Sequence, residues 1–225
     1  EEVKYQYPVP FSSTKKVENN FSGNFTFKDD FKEKQLNYRY VFLRNPEDGL
    51  YKIQNGFLEL PLKENTVAEI KKPAFVGFRQ AHLKGYGAVS MSFKAAAENE
   101  KAGLMIFQND RHYYFLCKSV KDNKPVVELY KAASEGNEKE ELLASAELKT
   151  NKPLQLKIEA DNDQYNFYYA QEKDKWILLK DNVDGKFLST KTAGGFVGCM
   201  YTMYGTSNVV ATTNKALYDW FQYKG

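Results

Sequence analysis

The sequence has little of what reactive or metal-holding sites are usually built from. Its 225 residues include only two cysteines and two histidines. Cys117 and Cys199 each lie inside an apolar run, YYFLC and GGFVGCMY, and are expected as buried free thiols. A disulfide would require those two strands to face each other, and a thiolate nucleophile would need a basic neighbour and exposure that neither run offers. His82 and His112 are far apart in the chain, and neither has a partner at metal-ligand spacing, which argues against a zinc site. Charge of one sign is also scarce. Lys and Arg total 32 against 29 Asp and Glu, a net charge of +3, and the two signs are interspersed, so there is no concentrated basic face for nucleic acid. No apolar run reaches the length of a membrane span. No signal peptide opens the sequence, which leaves the compartment open. Helical periodicity is missing too: the Ala95–Ala97 run is too short to count. No fixed-period repeat suggests a propeller or solenoid.

Aromatic residues, by contrast, are abundant, with 16 Tyr and 16 Phe, a composition that favours strands. In LQLKIEA, Leu154, Leu156 and Ile158 share one face while Gln155, Lys157 and Glu159 share the other. YGAVSMSF sets Val89, Met91 and Phe93 against Ala88, Ser90 and Ser92. Such period-2 patterns place one face in a core and the other in water. Further strands are expected from GLMIF, HYYFLC, VVELY, YNFYYA, WILL, GFVGCMY and a closing LYDWFQY, separated by turn signals such as Asn55-Gly56 and Asp184-Gly185. The polar stretch from Ser134 to Glu140 reads as a projecting loop. Residues 1–24, with Pro8 and Pro10, read as a lead-in or linker, and 25–225 as one all-β domain, a two-sheet antiparallel β-sandwich.

Several segments together resemble one family. They are FKDDF at 27–31, YVFLRNP at 40–46, PAFVGFRQAH at 73–82, AGLMIFQNDRHYYFL at 102–116, VDGKFLST at 183–190, AGGFVGCMY at 193–201 and LYDWFQY at 217–223. In that order they resemble the C-terminal concanavalin A-like jelly-roll domain of glycoside hydrolase family 43 β-xylosidases and α-arabinofuranosidases. The resemblance implies an accessory domain that packs on a five-bladed propeller, where three catalytic carboxylates reside, and helps to shape the pocket mouth. The chain alone is then expected to be inactive. Plant cell-wall oligosaccharides of the xylan or arabinan type are the implied substrates, and a periplasmic or secreted location suits their degradation. The alternative is an autonomous carbohydrate-binding module, for which Tyr168 and Trp176 offer rings.

The resemblance also assigns residues. Phe75, in the PAFVG segment, matches an aromatic that walls the sugar pocket. Arg44, Arg79, Gln80 and His82 match the domain-interface pattern, although Phe78 stands where relatives often have the first of two arginines. Related sandwiches often hold one structural calcium ion where the first and last strands meet, so Asp30 and Asp219 are the expected ligands. Asp219 is expected on the same strand face as Leu217 and Phe221. Removal of a propeller partner should leave an apolar patch around Pro73–His82. As for catalysis, the spacing of Asp29, Asp30, Asp110 and Asp219 places no two of them across a cleft, and the resemblance puts the catalytic set elsewhere.

Overall fold

The computed structural model describes residues 21–133 and 139–225. The lead-in up to residue 20 and most of the expected loop after Ser134 lie outside the described residues. In chain order the strands are β1 (Thr26–Asp29), β2 (Tyr40–Val41), β3 (Lys52–Gln54), β4 (Phe57–Pro61), β5 (Ala74–Arg79), β6 (Lys84–Ser92), β7 (Lys101–Asn109) and β8 (His112–Lys121). They continue with β9 (Lys124–Lys131), β10 (Glu141–Glu147), β11 (Leu154–Asp161), β12 (Gln164–Ala170), β13 (Ile177–Asp184), β14 (Met200–Thr206) and β15 (Lys215–Lys224). The helical content among the described residues is a 3-10 turn at Gly185–Leu188 and one α-turn at Thr190–Ala193.

These strands form two antiparallel sheets. Sheet I runs β13-β12-β11-β6-β15-β4-β3, with β1 also on β15, and sheet II runs β10-β9-β8-β7-β14-β5-β2. The main core lies between them, where Leu154, Leu156, Ile158, Val89 and Met91 of sheet I meet Leu104, Leu116, Val127 and Met203 of sheet II. Sheet I therefore reads as alternation, because its other face meets water. Sheet II is apolar on both faces. Met105, Phe107, Phe115, Cys117 and Tyr204 point away from the main core into a second buried cluster, which is why GLMIF and HYYFLC are nearly unbroken apolar runs. The hairpin turns follow the backbone chemistry: Asn55 and Gly56 both have positive φ between β3 and β4, as do Asp122 and Asn123 between β8 and β9.

Two expectations fail for local reasons. GFVGC is a loop, and strand β14 begins only at Met200. Gly194, Gly195 and Gly198 all adopt positive φ there, which a continuous strand cannot accommodate. Asp219 does not share a face with Phe221, because a β-bulge falls between Tyr218 and Trp220. Ala216 and Tyr218 point inward before it and Phe221 and Tyr223 after it, leaving Asp219 exposed.

Candidate functional site

One end of the sandwich gathers two of the residues singled out from the sequence. Gln80 and His82 follow β5 and line a cleft of about 350 Å³ with Tyr165, Asp163, Lys186 and Cys199. The Gln80 N–H donates to the Cys199 carbonyl at 2.9 Å. Its side-chain oxygen accepts the Tyr165 hydroxyl at 2.8 Å, and its amide nitrogen donates to the His82 carbonyl at 2.9 Å. His82 Nε2 lies 2.8 Å from the Gly23 carbonyl, an acceptor only, so that nitrogen carries the proton. Nδ1 then accepts the Tyr223 hydroxyl at 2.6 Å, and the Tyr223 oxygen accepts the Ala81 N–H at 3.0 Å. The imidazole is thus a structural tie between the segment preceding β1 and the last strand, with Phe25 packed at 5.0 Å from its ring.

Burial pushes both the Tyr165 phenol and the Cys199 thiol up, so both hold their protons near neutrality. Among the described residues Asp163 is the one carboxylate lining the cleft, and it pairs with Lys186 at 3.2 Å. Glycoside hydrolysis by the usual route needs two carboxyls flanking the bond. A second cavity, of about 460 Å³ beside sheet II, holds Glu140 with Lys101 and Tyr113. Burial raises the Glu140 carboxyl despite the opposing effects of Lys101 and of the Tyr113 hydroxyl bonded to it at 2.9 Å. Among the described residues no second carboxylate lines that cavity. Both cysteines are free thiols, Cys117 buried and Cys199 partly so.

The other expected residues are placed as follows. Arg44 has φ 65° and donates to the Lys71 carbonyl at 2.6 Å, a tie between two loops. Arg79, exposed at the end of β5, donates to the Val197 carbonyl at 2.7 Å. Phe75 lies on the outer face of sheet II, is 0% exposed, and packs edge-on against Phe107 at 5.1 Å. From Pro73 to Phe78 the segment is buried, so the exposed apolar patch expected there is absent; the second cluster and the main core absorb its two faces. Phe78 is itself core, stacked 4.7 Å from Phe27. Exposed apolar side chains occur instead on the glycine-rich loop that Arg79 holds, at Phe196 and Val197. The sequence contained a signal for this: three glycines in the six residues from Gly194 to Cys199 argue for a loop.

For the expected calcium ion, β1 and β15 are neighbours as anticipated, with Asp29 opposite Phe221. Asp30, however, forms an ion pair with Lys32, and that ammonium is held up first by Asp30 and additionally by Asp219. Asp30 thus already has a cation of the chain's own. Among the described residues no group of three or more His, Cys, Asp or Glu side chains converges, whereas calcium takes six to eight oxygens. The residues present do not fit a calcium site.

Two apolar-cored antiparallel sheets with jelly-roll connections define a concanavalin A-like sandwich. The sequence matches the family model for the beta xylosidase C-terminal concanavalin A-like domain over residues 28–224; the chain belongs to that family. It is 28% identical over 211 residues to a xylosidase/arabinosidase of Butyrivibrio fibrisolvens, covering 89% of this chain and 39% of that protein. It is 27% identical over 199 residues to the non-reducing end alpha-L-arabinofuranosidase of Bacteroides ovatus, covering 88% of this chain and 37% of the relative. Among solved structures, Bacteroides ovatus xyloglucan PUL GH43B superposes with a TM-score of 0.80 at 27% identity, over 87% of this chain and 38% of that one. The xylan beta-1,4-xylosidase of Bacillus halodurans shares the fold, with a TM-score of 0.82 at 18% identity, over 97% of this chain and 41% of that one. The chain therefore spans about two-fifths of the length of these relatives.

Proposed function

We propose that the chain serves as the accessory sandwich of a xylan- or arabinan-acting family 43 glycosidase, seated against a propeller domain that carries the catalytic carboxylates. The observation that carries this reading is coverage: nearly the whole chain aligns with a minor part of a xylosidase/arabinosidase and of an arabinofuranosidase. Surface chemistry supports it. Arg79 presents Phe196 and Val197 beside the Gln80–His82 cleft, an apolar and polar mixture typical of contacts between domains. Phe75 is enclosed as the chain stands, so contact with the partner is assigned to the Arg79–Phe196 end and not to that ring. Degradation of plant cell-wall polysaccharide suits a periplasmic or secreted location.

The test is assembly and turnover. The 225-residue chain by itself should release no nitrophenol from aryl xylosides or arabinosides, and should co-elute with a separately produced family 43 propeller from the same protein. Turnover by the chain alone, abolished by replacing one of its own carboxylates, would refute the accessory role.

A further inference from the structure

The outer face of sheet I carries a trough that docking at the Gln80–His82 end does not use. Its floor is the central strand β6, whose outward residues Ala88 and Ser90 are small and buried. On one side, β11 sets Lys157 opposite Ala88 and Gln155 opposite Ser90. On the other, β15 sets Gln222 opposite Ala88 and Trp220 opposite Ser90. Short side chains flanked in register by long ones leave a groove along the strand. Its volume is about 670 Å³, within the roughly 300–1,000 Å³ typical of small-ligand sites.

The rings lining the trough are positioned by the fold. The bulge in β15 turns Trp220 outward, where an unbroken strand would have kept position 220 in the inward parity of Ala216 and Tyr218. Trp176 stands on the opposite wall, so both of the chain's two tryptophans line the same groove. The Lys157 ammonium lies 4.2 Å from the Tyr168 ring centre, 5.1 Å from Trp176 and 5.8 Å from Tyr86. Lys28 lies 5.7 Å from Trp220, and the Gln222 amide donates to the Tyr86 hydroxyl at 3.2 Å. Rings held in this way lose little freedom when a ligand arrives.

We propose that this trough is a binding groove for a short, neutral oligosaccharide. Sugar rings present C–H faces and a belt of hydroxyls, and need flat apolar walls alternating with amides and carboxylates. Trp176 and Trp220 supply the walls, while Gln155, Ser90 and Asp174 supply the polar partners. The lining's three lysines, Lys28, Lys157 and Lys173, are largely balanced by Asp174 and Asp219, and Lys28 and Lys157 are engaged with rings, so the groove has no concentrated positive field to select an anion. The groove is argued from its own geometry; only the choice of pentose probes rests on the proposed function.

Tryptophan emission reports the site directly, since both tryptophans are in it. The full chain is titrated with xylo-, arabino- and cello-oligosaccharides of several units, by fluorescence and by calorimetry in parallel. Saturable changes in both are expected, and W176A and W220A should each weaken binding about tenfold, equivalent to about 1.4 kcal/mol, without lowering the melting temperature. If W220A folds poorly, S90Q tests the same point by filling the trough floor. Binding of cello-oligosaccharides alone would support the groove while counting against the proposed xylan or arabinan substrate. The groove is refuted by three results: no response to any neutral oligosaccharide, binding undiminished in both W176A and W220A, or binding confined to oligogalacturonate and erased by salt.

Discussion

Lys118 sits on β8 in the same inward parity as Leu116, and is 0% exposed. Its ammonium donates to the carbonyls of Asn151 at 3.1 Å and Lys152 at 3.2 Å, two neutral acceptors for a buried cation. Burial pushes its pKa down from the usual 10.5 to about 8. Between those two values the unfolded chain holds more protons than the folded one, so stability contributed by this residue rises with pH across that window. Below about pH 8 the full cost of a buried ammonium is present. Lys118→Met should therefore be more stable than the wild type near pH 7, and should lose that advantage towards pH 10. Urea midpoints of the two proteins at both pH values check this, and a gap that does not change with pH would mean that the ammonium is solvated. Asp30 and Asp219 lead to a second prediction at this scale. With Asp30 already paired to Lys32, a chelator should leave the melting temperature unmoved, and Lys32→Ala should not by itself create a calcium-dependent transition. A melting point that falls on chelation and recovers with calcium would reinstate the ion.

At the scale of elements, the two sheets differ in how far the sequence announces them. LQLKIEA, YGAVSMSF and the Tyr165, Phe167 and Tyr169 face of β12 were readable because sheet I meets the core on one side and water on the other, and alternation records that difference. In sheet II both faces are apolar, so HYYFLC revealed a strand without revealing which residues face which cluster. The bulge at Trp220 was hidden for another reason: LYDWFQY alternates acceptably in either parity, and the register shift is set by pairing with β6. Glycine within a strand is more informative. On β7, a Cβ at Gly103 would lie 2.1 Å from the Leu116 carbonyl oxygen and 2.7 Å from Cys117 Cα, both backbone atoms that cannot swing away. Gly103→Ala should therefore destabilise by about 1–3 kcal/mol through overpacking, read as a lowered urea midpoint. Gly49→Ala tests the other role of glycine, since its Cβ would meet nothing within 4 Å but its φ is +79°. It should cost about 1 kcal/mol through the left-handed backbone alone.

For the whole molecule, the Gln80–His82 cleft lies at one end and the aromatic trough lies across the outer face of sheet I. Local sequence reasoning reached Gln80 and His82 through a contiguous motif, and the structure places both on one cleft. It could not assemble the trough, whose lining comes from β1, β6, β11, β15 and the Lys173–Trp176 turn, because such a surface exists only once the strand order is known. It also chose the wrong one of two FVG segments as the exposed one. Phe75 is buried in the second cluster on the outer face of sheet II, whereas Phe196, on a loop with three glycines of positive φ, is 98% exposed. An exposed aromatic on a tethered loop contributes almost nothing to the fold of the isolated chain, so Phe196→Ser should change stability by no more than about 0.5 kcal/mol. In complex with a propeller domain the same ring would be desolvated, and aromatic anchors of that kind carry a disproportionate share of interface energy. Phe196→Ser should accordingly weaken co-elution with the propeller while leaving the melting temperature of the separated sandwich unchanged, and Arg79→Met should do the same in smaller measure by releasing the loop. Co-elution undiminished in Phe196→Ser would move the contact elsewhere on the sandwich, with the outer face of sheet II the next surface to probe.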